Sequence, residues 1–163
     1  MDDIKCIIFD LDRCAFNTPA FSKGDVPDFD YTYGDMHHVV ALTQEKILVT
    51  AGDTELQQQK IARSGIAQHF SEIHIDGFGD KESIFRNIMH RRVLGAHRIM
   101  VVGDNPNAEL GAGKRLGMVT VQTLRPAVVR WDEADFHIAS FAELDQIISA
   151  FAAMSRRRGC TPL

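Results

Sequence analysis

The sequence predicts an α/β fold, a doubly wound, Rossmann-like parallel sheet of about five to six strands with helices on both faces. Short apolar runs alternate with longer amphipathic stretches along the chain. Most of the short runs are continuous Ile, Val, Leu and Met, which is typical of strands buried on both faces. A length of 163 residues, with 45% apolar and 25% charged residues, suits one domain that can bury a core of its own.

Strands and helices are predicted in alternating order. The predicted strands are residues 4–9, 46–49, 72–75, 98–102, 119–122 and a weaker run at 136–138, and the predicted helices are residues 35–44, 54–64, 81–92, 107–116 and 141–154. This alternation is the pattern of a doubly wound sheet. Such sheets bind ligands at the carboxyl ends of their strands, so functional side chains are expected where each strand ends.

A single core domain is expected over residues 1–154, with two irregular pieces. Residues 13–34 contain two prolines and two glycines among aromatic and charged residues, without clean periodicity, which predicts a small flap. Its aromatic residues would either pack the flap onto the core or form a surface for self-association or substrate. Residues 155–163 begin with Ser-Arg-Arg-Arg-Gly and are predicted to be a flexible C-terminal tail.

Composition argues against several classes of protein. The net charge of −4 gives no basic field for nucleic acid, and no apolar run approaches the roughly 20 residues that cross a bilayer. The acidic start, Met1-Asp2-Asp3, is unlike a signal peptide. Three scattered cysteines are too few for a disulfide framework. We therefore expect a reduced, cytoplasmic protein with no nucleic-acid or membrane partner.

Two aspartates follow the first predicted strand. Asp10 and Asp12 lie two residues apart directly after an apolar run, and in an extended chain such residues point to the same side. Buried carboxylates are costly unless something pairs with them, so the two are candidates for facing one metal ion and one substrate. The alternative, that one of them caps a turn or the next helix, explains the pair equally well when it is taken alone.

Polar groups also follow the second and third strands. Thr50 and the backbone N–H of Ala51 precede a glycine and form a candidate oxyanion cradle, although a helix cap explains Thr50 better when it is taken alone. Lys81 opens a predicted helix, where the macrodipole disfavours positive charge. This indicates that Lys81 serves an anion, and a solvent-exposed lysine is the alternative.

The fourth strand ends at Gly103-Asp104-Asn105-Pro106, and Glu109 follows five residues after Asp104. Both acids then lie around a helix N-terminus, close enough to share a hard cation directly or through water. A helix cap and an acid in the first turn would explain the two residues separately.

Together, and in this order, these groups resemble the motifs of the haloacid dehalogenase-like hydrolase superfamily. The resemblance covers most of the chain and is carried by Asp10-Leu11-Asp12, Leu48-Val49-Thr50, Lys81 and residues 103–109, followed by Leu116-Gly117-Met118. It implies a magnesium-dependent phosphatase that hydrolyses a phosphomonoester through an aspartyl-phosphate intermediate. Another phosphotransferase chemistry at the same site is the alternative within enzymes.

The resemblance also implies a role for each residue. Asp10 would be the nucleophile, and Asp12 would protonate the leaving oxygen and then deprotonate the hydrolytic water. Thr50, the N–H of Ala51 and Lys81 would bind the phosphate. Dehalogenases of the superfamily lack the second aspartate, so Asp12 favours attack on phosphorus over attack on carbon.

The cofactor that the resemblance implies is Mg²⁺. It would be held by Asp10, the backbone carbonyl of Asp12, Asp104 and Glu109, the last directly or through a water. Glu109 stands where relatives commonly have Asp. Arg13-Cys14 follows Asp12 where relatives usually have a small residue and then Thr or Val, and Arg13 would crowd or recruit a substrate anion.

The spacing of the motifs resembles that of members without a large cap domain. Only 37 residues separate Asp12 from Thr50, and some of them must build a helix and a strand. Such a site is open, so either the phosphorylated substrate is large or a neighbouring subunit of a homo-oligomer closes the site.

Two hypotheses from other classes remain at this point. A response-regulator receiver domain also places acids, a Thr and a Lys at strand ends, with the phosphorylated aspartate on the third strand, which here ends at Asp76. A catalytically idle scaffold would only bind a cation at the same residues.

Overall fold

The computed structural model describes residues 3–158, and its centre is a sheet of six strands. They are β1 (Cys6–Phe9), β2 (Glu45–Ala51), β3 (Glu72–Asp76), β4 (Ile99–Gly103), β5 (Val119–Thr123) and β6 (Phe136–Ile138). All neighbouring strands pair in parallel, in the order β3-β2-β1-β4-β5-β6. The predicted doubly wound, Rossmann-like sheet is confirmed.

Within the described residues, six helices accompany the sheet. They are α1 (Thr18–Phe21), α2 (Met36–Ala41), α3 (Thr54–Ser64), α4 (Lys81–Arg92), α5 (Glu109–Leu116) and α6 (Leu144–Arg158), and short 3₁₀ turns lie at Ile66–His69, Ala96–Arg98 and Phe141–Glu143. The side chains of Asp53 and Asp80 cap α3 and α4 by accepting backbone N–H bonds three residues on, which explains why both helices begin where the sequence predicts.

Three predicted helices have different bounds in the structure. Helix α2 is shorter than predicted, and α5 begins at Glu109 rather than at residue 107. Helix α6 runs through Arg158, so residues 155–158 of the predicted tail are helical, and residues 159–163 lie outside the described residues.

The helices cover both faces of the sheet. Alternate residues of β1 belong to two different cores: Ile7 and Phe9 pack with residues of α2, α3 and α6, whereas Cys6 and Ile8 pack with residues of α4 and α5. This is the two-sided burial expected of continuous apolar strands. The described residues contain no separate cap domain above the sheet. Among them, no helix is both long and apolar enough to cross a bilayer.

The direction of winding places one crevice at the middle of the sheet. The chain moves from β1 outward to β3, then returns to β4 on the other side of β1. Doubly wound folds bind ligands at such a switch point, beyond the carboxyl ends of the strands. Asp10 follows β1 there, and its N–H donates to the carbonyl of Val102 in β4 at 2.9 Å. The adjacent strand ends therefore bring their polar residues together.

The predicted flap at 13–34 packs on the core through its aromatic rings. Phe16 and Tyr31 are fully buried, and the ring centroids of Phe16 and Phe21 lie 5.4 Å apart in an edge-to-face arrangement. Phe29 contacts Tyr31 with a centroid separation of 4.7 Å but stays about half exposed. Of the two uses that the sequence left open for these rings, the structure shows packing.

Arg125, which sequence reasoning did not single out, fastens this flap. Its guanidinium donates two hydrogen bonds of 2.9 Å to the carboxylate of Asp35 and one of 3.1 Å to the carbonyl of Cys14. It also lies 3.9 Å from the ring centroid of Tyr33 and 4.6 Å from that of Phe141. This bidentate pair and the two ring contacts hold the segment after β5 against the flap and against the 3₁₀ turn that precedes α6.

We predict that Asp35→Asn destabilises the protein by about 3 kcal/mol at neutral pH, because it leaves a buried guanidinium without its charge partner. Burial alone would raise the pKa of Asp35, but hydrogen bonds from Arg125 and the N–H of Phe141 lower it overall. The pair therefore stabilises the fold above the ordinary carboxyl pKa of about 4 and loses this contribution as the pH falls further.

Urea unfolding between neutral and acidic pH measures this effect. The variant should lose less stability on acidification than the wild type. Asp132→Asn, at a 91% exposed carboxylate that pairs with Arg130, is the control and should change the free energy of unfolding little. Equal pH dependence in Asp35→Asn and wild type would contradict the role of this pair.

Candidate active site

A buried lysine lies between two buried carboxylates at the ends of β1 and β4. Lys81 Nζ donates to Asp10 Oδ1 at 2.6 Å and to Glu109 Oε2 at 2.9 Å. The three residues are only 5%, 6% and 1% exposed, in that order. Asp10 follows β1, and the other two are the first residues of α4 and α5. Buried charges persist only when paired in this way.

Asp104 adds a third carboxylate to this cluster. Carboxylate oxygens of Asp10, Asp104 and Glu109 all lie within 4.8 Å of one another. Burial, with repulsion from Glu109, raises the pKa of Asp10 to about 8, although Lys81 opposes the rise. Burial and Glu109 also raise the pKa of Asp104 to about 6. With all groups ionised, one ammonium faces three carboxylates, so the cluster has an uncompensated negative charge.

The uncompensated negative charge of the cluster and its carboxylate oxygens together fit a hard divalent cation. Three carboxylates that converge from two strand ends offer only oxygen ligands, which Mg²⁺ prefers. A bound dication would compensate the charge that Lys81 leaves over. The predicted metal residues Asp10, Asp104 and Glu109 thus lie together, and Asp12, predicted to contribute its carbonyl, lines the same cavity.

Glu109 reaches the cluster because of a glycine. A Cβ at Gly103 would lie 2.3 Å from Glu109 Oε1, so only glycine at the end of β4 leaves room for this carboxylate. The N–H of Asn105 donates to the same Glu109 oxygen at 2.7 Å. The turn after β4 therefore folds the side chain of Glu109 back towards Lys81 instead of leaving it in solvent at the start of α5.

Asp12 is held by three donors, two of which come from α3. Its Oδ1 accepts from Lys60 Nζ at 2.7 Å and from the hydroxyl of Thr18, and its Oδ2 accepts from Gln57 Nε2 at 3.0 Å. Burial alone would raise the pKa of Asp12, but the hydrogen bonds of these three donors outweigh it and lower the pKa. Asp12 is thereby held ionised.

Sequence reasoning missed Lys60 and Gln57. Both are buried, at 5% and 4% exposure, and they lie three residues apart on one face of α3. Lys60 precedes the buried Ile61, so a lysine beside the apolar side of an amphipathic helix was the available signal. The acid that pairs with it lies 48 residues away, which the pattern within α3 does not reveal.

Thr50 and Ala51 lie where the sequence places them, at the end of β2. The hydroxyl of Thr50 is buried and has no hydrogen-bond partner among the described residues, although a buried hydroxyl normally has one. Ala51 lines the same cavity as Asp10 and Lys81. A phosphate oxygen in this cavity is a suitable acceptor for the unpaired hydroxyl.

The cavity enclosed by these groups has a volume of about 310 Å³. Its lining residues come from the ends of β1, β2 and β4, from the flap and from the starts of α4 and α5: Asp10, Asp12, Arg13, Thr18, Ala51, Lys81, Asp104, Asn105, Ala108 and Glu109. The predicted site residues other than Thr50 are thus in the lining, and Thr50 immediately precedes one of them.

The structure contradicts the receiver hypothesis. Receiver domains use the flavodoxin-like strand order, in which the third strand lies beside the first. Here β3 is an edge strand, separated from β1 by β2. Asp76, at the end of β3, accepts the N–H of Phe78 at 2.9 Å and is not part of the carboxylate cluster.

Comparison with known proteins identifies the class to which this fold belongs. A haloacid dehalogenase-like family hydrolase from Xanthomonas campestris matches with a TM-score of 0.76 and 15% identity, over 95% of this chain and 99% of the other. The HAD-hydrolase YfnB from Bacillus subtilis, solved bound to magnesium, matches at 0.72 and 12%, over 90% and 99%. A predicted phosphoglycolate phosphatase from Haemophilus somnus matches at 0.71 and 14%, over 90% and 98%.

The chain has the fold of the haloacid dehalogenase-like hydrolases, so the resemblance seen in its motifs is confirmed at the level of the fold. Solved 2-haloacid dehalogenases share this fold, and the fold alone therefore does not choose between attack on phosphorus and attack on carbon. No family model matches the sequence, and no curated protein matches it.

We predict that Gly103→Ala displaces the carboxylate of Glu109 and destabilises the protein by about 2 kcal/mol, the typical cost of overpacking a tight site. Glu109 is 1% exposed and held by two donors, so it has little freedom to move away. Urea unfolding measures the change. Gly34→Ala is the matched control, because its Cβ would meet nothing within 4 Å. Equal stability of the two variants would show that Glu109 does not need this space.

Proposed function

We propose that this protein is a magnesium-dependent phosphatase that hydrolyses a phosphomonoester through an aspartyl-phosphate on Asp10. The observation that carries the proposal is the buried arrangement of Asp10, Lys81 and Glu109 with Asp104 beside it. It supplies a carboxylate nucleophile, a cation that serves both nucleophile and phosphate, and oxygen ligands for a metal, all within one cavity.

The metal in this proposal is Mg²⁺, held by the carboxylates of Asp10 and Asp104, by Glu109 and by the backbone carbonyl of Asp12. The uncompensated negative charge of the carboxylate cluster supports this metal site, and one structural neighbour was solved bound to magnesium. When bound, the ion would screen the repulsion between the carboxylate of Asp10 and the phosphate.

The first chemical step belongs to Asp10. One of its carboxylate oxygens attacks phosphorus, the new O–P bond forms, and the bond from phosphorus to the ester oxygen breaks. Lys81 favours the ionised form of Asp10, against the burial and the repulsion from Glu109 that raise its pKa, and neutralises charge on the phosphate. The hydroxyl of Thr50 and the N–H of Ala51 donate to the phosphate oxygens, which would satisfy a hydroxyl that otherwise has no partner.

The second step belongs to Asp12. Its carboxylate accepts a proton from the water that attacks the aspartyl-phosphate, and the O–P bond to Asp10 breaks. The hydrogen bonds from Lys60, Gln57 and Thr18 hold Asp12 ionised, the form that a base needs. The same hydrogen bonds make Asp12 a weaker proton donor in the first step, so esters whose leaving oxygen needs little protonation should react fastest.

Asp12 also favours a phosphatase over a dehalogenase. Members of the superfamily that attack carbon lack this second acid, and here it lines the cavity beside Asp10. Transfer of the phosphoryl group to an alcohol instead of water would use the same residues, and the ratio of phosphate to phosphorylated acceptor distinguishes the two.

We predict that the protein hydrolyses p-nitrophenyl phosphate in the presence of Mg²⁺ and that Asp10→Asn abolishes this, with a loss of at least about 10³-fold in kcat, because an amide cannot form the acyl phosphate. Removal of Mg²⁺ by a chelator should have a similar effect on the wild type. The assay measures release of p-nitrophenolate.

The matched control is Asp76→Asn, which changes a buried acid at the end of the edge strand β3 and should retain activity. Magnesium binding without hydrolysis by the wild type would instead identify an idle, cation-binding scaffold. Equal loss of activity in Asp76→Asn and Asp10→Asn would contradict the assignment of the nucleophile.

A further inference from the structure

A second cavity of about 410 Å³ adjoins the candidate active site. The two cavities share Arg13, Asp104 and Asn105 in their linings. The far wall of the second cavity is the loop after β5, which contributes residues 127–131. The second cavity is therefore continuous with the first, and a molecule whose phosphate lies over Asp10 can extend into it.

Arg13 and Arg130 provide the positive charge of this second cavity, and Asp104, which both cavities share, provides a negative one. The guanidinium of Arg13 makes no hydrogen bond or salt bridge with any described residue. The backbone at Arg13 is left-handed, with a φ of 54°, and its N–H donates to the carbonyl of Phe16 at 3.0 Å. Arg130 pairs with Asp132 at 3.1 Å, but both are largely exposed, and such a pair contributes little. Both arginines are available to an anion.

The far wall of the second cavity is fixed to the active site by a buried glutamine. Gln122 is fully buried, and its Nε2 donates to the carbonyls of Asp104 at 3.2 Å and Val129 at 2.9 Å. Its Oε1 accepts the N–H of Trp131 at 2.7 Å. The loop is therefore held at a set distance from a predicted metal ligand, as a preformed binding wall requires.

The remaining surface of this wall is apolar. Ala127, Val128, Val129 and Trp131 line it, and Val129 is 84% exposed. An exposed valine beside a tryptophan offers apolar area to a ligand. A preformed apolar wall with two cations along it fits an organic group that has a flat or apolar body and a negative charge at its end.

We propose that this second cavity binds the leaving group of the substrate, and that this group has an apolar or aromatic body and a second anionic group bound by Arg13 and Arg130. The inference rests on the proposed phosphatase function and adds the class of substrate. Arg13 is its specificity-determining residue, because it lies in both cavities and its guanidinium makes no hydrogen bond with a described residue.

Binding of the product alone tests this without catalysis. The chain has one tryptophan, Trp131, so its fluorescence reports on the cavity wall. 4-Hydroxybenzoate should change this fluorescence in a saturable way and bind about tenfold more tightly than phenol, and Arg13→Gln should remove most of this difference. Arg86→Gln, at a 64% exposed arginine outside both cavities, should bind like the wild type. Equal binding of the two ligands would overturn the inference.

Kinetics separate failure of this inference from failure of the proposed function. The wild type should hydrolyse 4-carboxyphenyl phosphate with a kcat/KM about tenfold above that for phenyl phosphate, mainly through KM, and Arg13→Gln should lower this ratio. Hydrolysis of both esters without preference would overturn the inference and leave the phosphatase function in place. Hydrolysis of neither would overturn both. A loss in Arg13→Gln that is equal for both esters would show that Arg13 serves the phosphate alone.

Discussion

The buried contact of Lys81 with Asp10 and Glu109 is the constraint on which the rest of this site depends. Its three charges come from distant parts of the chain, separated by 71 and 28 residues, and each would be costly to bury alone. The doubly wound sheet brings them together because β1 and β4 are neighbours and their carboxyl ends open into the same crevice. Gly103 then makes room for Glu109, and Asp104 adds the charge that one lysine does not balance. Fold and charge thus lead to one arrangement whose excess negative charge a bound dication would balance.

Much of this arrangement is present in the sequence. The apolar runs predict the strands. The polar residues that follow the strands are predicted to lie in one site, because in a parallel sheet the carboxyl ends of the strands meet; they are Asp10, Asp12, Thr50, Lys81 and the acids after β4. What the sequence does not reveal is pairing at long range. Lys60 belongs to Asp12, and Arg125 pairs with Asp35 across 90 residues. Each looks like an ordinary charged residue in its own segment, and only the packing of α3 and of the flap shows that it is buried with a partner.

The flap and the loop after β5 give the site its shape in place of a cap. Arg125 connects them, since it lies two residues after the end of β5 and binds Asp35 and the carbonyl of Cys14. Gln122 lies in β5, two positions after the residue whose N–H donates to Asp135. Its Nε2 donates to the carbonyl of Asp104, and this hydrogen bond holds the other end of the loop against Asp104. The site is therefore open above but has fixed walls at its sides. In the proposed function, such walls would select a substrate by the body and charge of its leaving group, whereas a closing domain would select it by enclosure.

In the proposed reaction the phosphoryl group passes through Asp10, and the direct measurement is to trap it there. The protein is mixed with Mg²⁺ and p-nitrophenyl phosphate, quenched in acid within one turnover, and analysed by peptide mass spectrometry. We predict a phosphoryl group on Asp10 that accumulates in Asp12→Asn, because p-nitrophenolate leaves without a proton donor whereas hydrolysis of the intermediate needs a base. Release of p-nitrophenolate with no phosphorylated protein, or with the phosphoryl group on another residue, would contradict it.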